Sequence, residues 1–190
     1  MPSIRTFIAL ETPPDIRASI DELLTTPKQV NAAVRWETPE KFHVTVKFLG
    51  DVDERKLPTI IAKIEQTVST ITGFEIEYGD IGMFPDRDHP RIIWIGCHNP
   101  DRMLSRLKKE LDSALRPFGF PIEARAFHPH ITLARITGEK GKKDLLSILE
   151  NLTFEPRCAT VEEVVVMKSM LKPQGSEYSR LTSVRLSRKT

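Results

Sequence analysis

The sequence predicts a protein of mixed class, α/β or α+β, and three observations lead there. Apolar residues follow a period of two in some stretches and the helical period in others, and these stretches interleave along the chain. No low-complexity segment or long linker divides the 190 residues, which fit one domain or two small lobes sharing a core. The order strand, helix, strand also recurs. Arg5 precedes His43 by 38 positions, Arg91 precedes His130 by 39, and each histidine opens the pattern His-x-Thr. Such a repeated spacing indicates two copies of one β-α-β unit related by an approximate two-fold axis.

Each element has its own signal. RTFIAL (5–10) is a continuous apolar run suited to a strand buried on both faces. ETPPD then supplies turn chemistry, with Pro14 near the first turn of a helix that carries Ile16, Ile20, Leu23 and Leu24 at helical spacing. Val34 to Trp36 is a short strand. In FHVTVKFLG (42–50), Phe42, Val44, Val46 and Phe48 alternate with His43, Thr45 and Lys47, which predicts a strand with the first set facing the core. Asp53 is placed to cap a helix whose stripe is Leu57, Ile60, Ile61, Ile64 and Val68, ended by Gly73. FEIEYGDIGMF and RIIWIG read as strands around the turn PDRDHP. NPDRMLSRLKKELDSALRPFG reads as a helix with Asn99 as N-cap, Pro100 in its first position and Gly119 just past its end. EARAFHPHITLARI predicts further strands and KKDLLSILEN a short helix. VEEVVVMKSML and YSRLTSVRLS are two more strands around the turn KPQGSE.

Composition narrows the function classes. Hydrophobic residues make up 39% and charged residues 28%, the formal net charge is +2 and the pI about 8.5. That excludes a purely electrostatic nucleic-acid binder but permits a local basic patch facing an anionic ligand. No run approaches eighteen apolar residues, so no transmembrane helix is expected, and the apolar run near the start is too short for a signal peptide. Two cysteines, Cys97 and Cys158, argue against a disulfide framework and for a cytoplasmic home.

The paired motif is the chemical signal. Residues i and i+2 of a strand share a face, so His43 projects with Thr45 and His130 with Thr132. If the halves pack by their pseudo-symmetry, two imidazoles and two hydroxyls converge on one cleft. Two histidines suit phosphodiester cleavage without a metal: one neutral ring accepts a proton and one charged ring donates a proton to the leaving oxygen. Threonine hydroxyls can donate to the non-bridging phosphate oxygens. A single His-x-Thr is weak evidence; two at matched places in matched halves are strong. His128 and His130 share a face, but no Cys or further His pattern completes a zinc site, so no metal and no cofactor are expected. His89, in a polar turn, and His98, at a strand end, are expected to be solvated.

With these residues in view, the sequence resembles the two-histidine phosphoesterases, and within them the RNA 2′,3′-cyclic phosphodiesterases long called 2′-5′ RNA ligases of bacteria and archaea. The resemblance is carried by RTFIALETP, VRWETPEKFHVTVKFLG, GMFPDRDHPRIIWIG, GFPIEARAFHPHITLARI and VVVMKSMLKPQGSEYSRL, nearly the whole chain. It implies a bilobal α+β fold over residues 1–190, a single domain with two pseudo-symmetric lobes, antiparallel sheets facing a central cleft and helices outside. It implies hydrolysis of RNA 2′,3′-cyclic phosphate ends to 2′-phosphates, and in some members reversible 2′-5′ joining of tRNA halves. It assigns His43 as proton donor, His130 as proton acceptor, and Thr45 and Thr132 as phosphate-binding residues. Arg135 matches a position that helps hold phosphate or base, although simple alternation puts it on the face opposite His130, so a bulge or strand end is required. Phe48 and Tyr178 are candidates for stacking on a base, although Phe48 has the parity of the core. One departure stands out: family members often carry Arg or Lys where this chain has His128. The expected partner is RNA with a 2′,3′-cyclic phosphate end, favoured by Lys41, Lys47, Arg125 and Arg135 flanking the strands, with no membrane and no obligate protein partner. Two alternatives keep the site: a phosphodiesterase of a small cyclic phosphate, and a silent domain that binds nucleotide or RNA.

Overall fold

A computed structural model describes residues 2–173 and 175–188. Its helices are α1 (Pro14–Leu23), α2 (Thr25–Lys28), α3 (Leu57–Val68), α4 (Met103–Leu115) and α5 (Lys142–Glu150). Its strands are β1 (Ser3–Glu11), β2 (Val34–Trp36), β3 (His43–Asp53), β4 (Phe74–Phe84), β5 (Ile92–His98), β6 (His130–Ile136), β7 (Arg157–Val161), β8 (Glu163–Lys172) and β9 (Gly175–Arg185). The strands pair antiparallel in the order β7-β4-β5-β6-β3-β1-β8-β9, with β2 added to β6.

That order is symmetric about its centre. β6 and β3 meet in the middle, flanked by β5 and β1, then β4 and β8, then β7 and β9. The two half-sheets therefore join into one α+β sheet along β3 and β6, where Val44 pairs with Ile131. These are the middle residues of the two His-x-Thr motifs. Their antiparallel sense carries His43 toward Thr132 and Thr45 toward His130.

Helices cover one face of the sheet. Ile16 and Ile20 of α1, Ile60, Ile64 and Val68 of α3, Leu104, Leu107, Leu111 and Leu115 of α4, and Leu145 and Leu149 of α5 pack with Leu10, Val44, Ile95 and Ile131 in one core. Each fully buried aliphatic side chain contributes about 1.5–3 kcal/mol. The opposite face stays open and carries a smaller apolar cluster, Phe7, Ala9, Val165 and Met167, beside Tyr178.

Several boundaries differ from expectation. Asp53 does not cap α3; it ends β3, where its carboxylate accepts the Arg55 N–H at 3.0 Å, and α3 starts at Leu57 with no side-chain cap. α4 opens at Met103 rather than Pro100, because the chain first turns through Arg102 in the left-handed region (φ 58°). Asn99 serves α4 from outside: its Oδ1 accepts the Leu104 N–H at 2.7 Å while its Nδ2 donates to the Glu75 carbonyl. Residues 123–129 form no strand, so EARAFHPHITLARI holds β6 alone. The short β7 carries no clean alternation and was not expected. Gln174 of the KPQGSE turn lies outside the described residues, while the flanking strands pair as a hairpin.

Candidate active site

The site rests on one irregularity made twice. In the β1–β3 ladder Ala9 faces Thr45 and Ile8 faces Lys47, so Val46 is an extra residue. In the β5–β6 ladder Trp94 faces Thr132 and Ile93 faces Ala134, so Leu133 is an extra residue. Both are buried. A bulge exchanges the faces of everything beyond it. Lys47 and Ala134 therefore turn toward the helices, and Phe48 and Arg135 turn toward the open face with the histidines and threonines. This corrects the alternation read from FHVTVKFLG. Phe48 is 62% exposed rather than buried, and Lys47 is 1% exposed rather than flanking a ligand. It also meets the condition set for Arg135.

Both imidazoles are held alike. The Nδ1 of His43 lies 2.6 Å from the Lys41 carbonyl oxygen, and the Nδ1 of His130 lies 2.6 Å from that of His128. A carbonyl only accepts, so Nδ1–H is the donor in each ring and Nε2 is left to exchange protons with a ligand. Burial lowers the pKa of His43 below the usual histidine value; the charge of His130 adds to this and the Lys41 carbonyl opposes it. Burial likewise lowers that of His130, with His128 and Arg135 adding to it and the His128 carbonyl opposing it.

Aromatic rings wall each histidine. His43 lies 5.0 Å from Phe7 and 5.1 Å, edge-on, from Tyr178, and Phe7 is 6.0 Å from Phe48. His130 lies 5.0 Å, edge-on, from Phe84 and 6.2 Å from Trp94. The ring of His128 packs on both of those, 5.6 Å from Phe84 and 5.4 Å from Trp94. Burial raises the Tyr178 phenol pKa, with Glu37 adding to it.

These groups line one cleft of about 1020 Å³. Its charged lining holds five cations, Arg5, Lys41, Arg91, Arg125 and Arg135, against two carboxylates, Glu37 and Glu123. Glu37 lies 3.7 Å from the Lys41 ammonium and 3.8 Å from the Arg135 guanidinium, and its backbone N–H donates to the bulged Leu133. The excess of positive charge suits an anion, and low-dielectric walls strengthen its field.

All seven residues proposed from sequence, His43, Thr45, Phe48, His130, Thr132, Arg135 and Tyr178, line this cleft. Of the cations expected to flank the strands, Lys41 and Arg125 line it with Arg135, and Lys47 does not. His89 also lines the cleft, exposed beside Asp86, and His98 pairs at 2.9 Å with Asp80 at the surface. Sequence reasoning missed Phe7, Phe84, Trp94 and Glu37. An aromatic in a strand reads as core, and only the packing shows these against imidazole.

The chain matches the model of the 2′-5′ RNA ligase superfamily over residues 12–172. It is 32% identical to an RNA 2′,3′-cyclic phosphodiesterase of Methanothermobacter thermautotrophicus, across 96% of this chain and 99% of that protein. It is 33% identical to one of Methanocaldococcus jannaschii, across 92% of this chain and 96% of that protein. Among solved structures, E. coli LigT complexed with 3′-AMP superposes with a TM-score of 0.78 at 25% identity, covering 97% of this chain and 99% of that one. A Thermus thermophilus protein, TT0787, superposes with a TM-score of 0.79 at 23% identity, covering 98% of this chain and all of that one, a likeness of fold.

Proposed function

The chain belongs to the 2′-5′ RNA ligase superfamily, and from that premise we propose that it hydrolyses the 2′,3′-cyclic phosphate end of RNA to a 2′-phosphate. The observation that carries the reading is the matched pair of imidazoles, each with Nδ1 tied to a backbone carbonyl and Nε2 free on one cleft. In this reading His130 takes a proton from water while the water oxygen bonds to phosphorus. The P–O3′ bond breaks, and His43 gives its Nε2 proton to O3′. Thr45 and Thr132 donate hydrogen bonds to the non-bridging oxygens, and Arg135 balances their charge. The division of roles follows the family resemblance, and the charged neighbours act on both rings in one net direction. Glu11 stands across from His43 and favours its charged form, but His130 and Arg17 oppose that form more strongly, as His128 and Arg135 oppose the charged form of His130. The same residues serve the reverse reaction, formation of a 2′-5′ link, because a cleft that stabilises one direction's transition state stabilises the other's.

The RNA strand, rather than a small cyclic phosphate, is supported by the size of the cleft and by cations beyond the phosphate-holding residues. The test is incubation of purified protein, in EDTA, with an oligonucleotide ending in a 2′,3′-cyclic phosphate, beside His43→Ala and His130→Ala. Conversion to a 2′-phosphate, lost in both variants, is the expected result. Binding without conversion would replace the enzyme by a binding module. Turnover of a mononucleoside cyclic phosphate alone would move the substrate to a small molecule.

A further inference from the structure

One wall of the cleft has no ladder of its own. Residues 121–129 belong to no helix or strand and most are exposed, yet Glu123, Arg125, Ala126, Phe127 and His128 all line the cleft. Such a segment keeps its place only through what holds it from outside. Its far end is fixed beside the His130 ring: the Cys97 N–H donates to the Pro129 carbonyl at 3.0 Å, and the His128 carbonyl accepts from His130. Its near end and its middle are reached from beneath the sheet. The Lys47 ammonium donates to the Pro121 carbonyl at 2.9 Å. The Lys108 ammonium lies 3.8 Å from the Glu123 carboxylate and 6.0 Å over the Phe127 ring.

Both lysines are buried, and both bond to one carboxylate, that of Asp112. Packing does not call for them. Taking such charges out of water is costly, and apolar side chains of similar volume often fill a buried ionic site with no loss of stability. Past the second bulge the sheet has Ala134, among apolar groups. What an ammonium supplies and a methyl cannot is hydrogen-bond donors, three of them. Each lysine satisfies Asp112 and turns its remaining capacity to the segment 121–129.

Resting on the activity proposed above, we propose that Lys47 is a positioning residue for the substrate, acting from one half of the sheet on the other. It stands two residues past Thr45 but faces away from the cleft and lies outside its lining. Through the Pro121 carbonyl, and through Asp112 and Lys108, it holds Glu123, Arg125 and Phe127 along the path of the RNA strand. His128 and Pro129 are fixed separately, so releasing the segment loosens the grip on the strand and leaves the reacting groups in place. Loss of binding shared by ground and transition states raises KM and spares kcat.

The experiment separates positioning from stability. Lys47→Met keeps an unbranched side chain and removes the donors. Steady-state kinetics on a cyclic-phosphate oligonucleotide, well below the thermal midpoint, should show KM raised about tenfold, in keeping with one hydrogen bond to a charged group. The kcat should stay within about twofold of wild type. Trypsin reads the segment without reference to activity: cleavage after Arg125, identified by fragment mass, should be about tenfold faster than in wild type. A lysine that serves stability alone would lower the thermal midpoint and leave KM and the cleavage rate unchanged, and that result overturns the inference. So does a fall in kcat at constant KM, which would make Lys47 act on the chemistry rather than on binding. Should Lys47→Met fail to fold, Lys108→Met, which frees the same segment from its second anchor, decides by the same two readings. A wild type without turnover defeats the proposed activity instead, and the cleavage rates then judge the positioning by themselves.

Discussion

On the cleft side β3 and β6 run the same course, while on the side facing the helices they differ. Just past its bulge, β3 sends Lys47 into the core, where its ammonium donates to Asp112 at 2.6 Å and to the Pro121 carbonyl at 2.9 Å. Asp112 also accepts from Lys108 at 2.8 and 2.7 Å. Lys108 lies 3.8 Å from Glu123 and stands 6.0 Å over the ring of Phe127. At the matching position β6 has Ala134, buried among apolar groups. The backbone irregularity is therefore indifferent to what lies beneath it. Charge was placed under the first half alone, and it ties β3 to α4 and to the segment that brings Glu123, Arg125 and His128 into the second half. Burial alone would raise the Asp112 pKa, but hydrogen bonds from Lys108 and Lys47 outweigh it and hold the carboxylate ionised.

The largest effects should fall where the halves are alike. His43→Ala and His130→Ala should each lower kcat/KM by about 10²–10⁴-fold, the usual worth of a positioned acid or base. Steady-state kinetics on a cyclic-phosphate oligonucleotide would measure this. One variant retaining near-normal activity would break the equivalence of the halves.

Next comes the asymmetric underside. Asp112→Ala strands two buried ammonium groups and should cost about 3–5 kcal/mol in urea denaturation. Lys47→Met leaves Asp112 its bonds to Lys108, so the loss should be clearly smaller. Equal losses would mean that the carboxylate is not the hub.

A packing test follows on the second half. A Cβ at Gly82 would lie 2.1 Å from the Trp94 ring, the ring that faces His130. Gly82→Ala should therefore cost about 1–3 kcal/mol by overpacking, read as a lowered thermal midpoint. An unchanged midpoint would show that the indole can swing aside freely.

The gentlest test is pH. Both folded-state histidine pKa values lie below the ordinary 6.5, so between those values and 6.5 the unfolded chain binds more protons. The stability this confers is complete above about pH 6.5 and is lost as pH falls through the folded values. Replacing both rings by Gln should flatten that slope in denaturation series at pH 5 to 7. The proposed mechanism needs one neutral and one charged ring, so the kcat/KM profile should peak below pH 6.5, its limbs reporting the pair rather than either ring. A peak well above pH 7 would contradict the depressed values.

Much of this was legible in the chain itself. Alternation marked β3, helical spacing marked α1 and α3, and the recurrence of 38 and 39 positions before His-x-Thr indicated two halves related by an approximate two-fold axis, which the structure realises as a sheet symmetric about β3 and β6. The two histidines and two threonines followed from parity, which holds over the three residues of each motif. Parity fails two residues later. One extra residue, Val46 or Leu133, reverses the side chains that follow it, Lys47 and Phe48 or Ala134 and Arg135, in register with the neighbours β1 and β5. No residue type at either position announces that. Only the tertiary structure, then, could send Lys47 inward to an Asp 65 positions away and turn Phe48 and Arg135 out to the cleft. Local periodicity is a property of one strand, whereas the face a side chain finally takes is decided by pairing between strands.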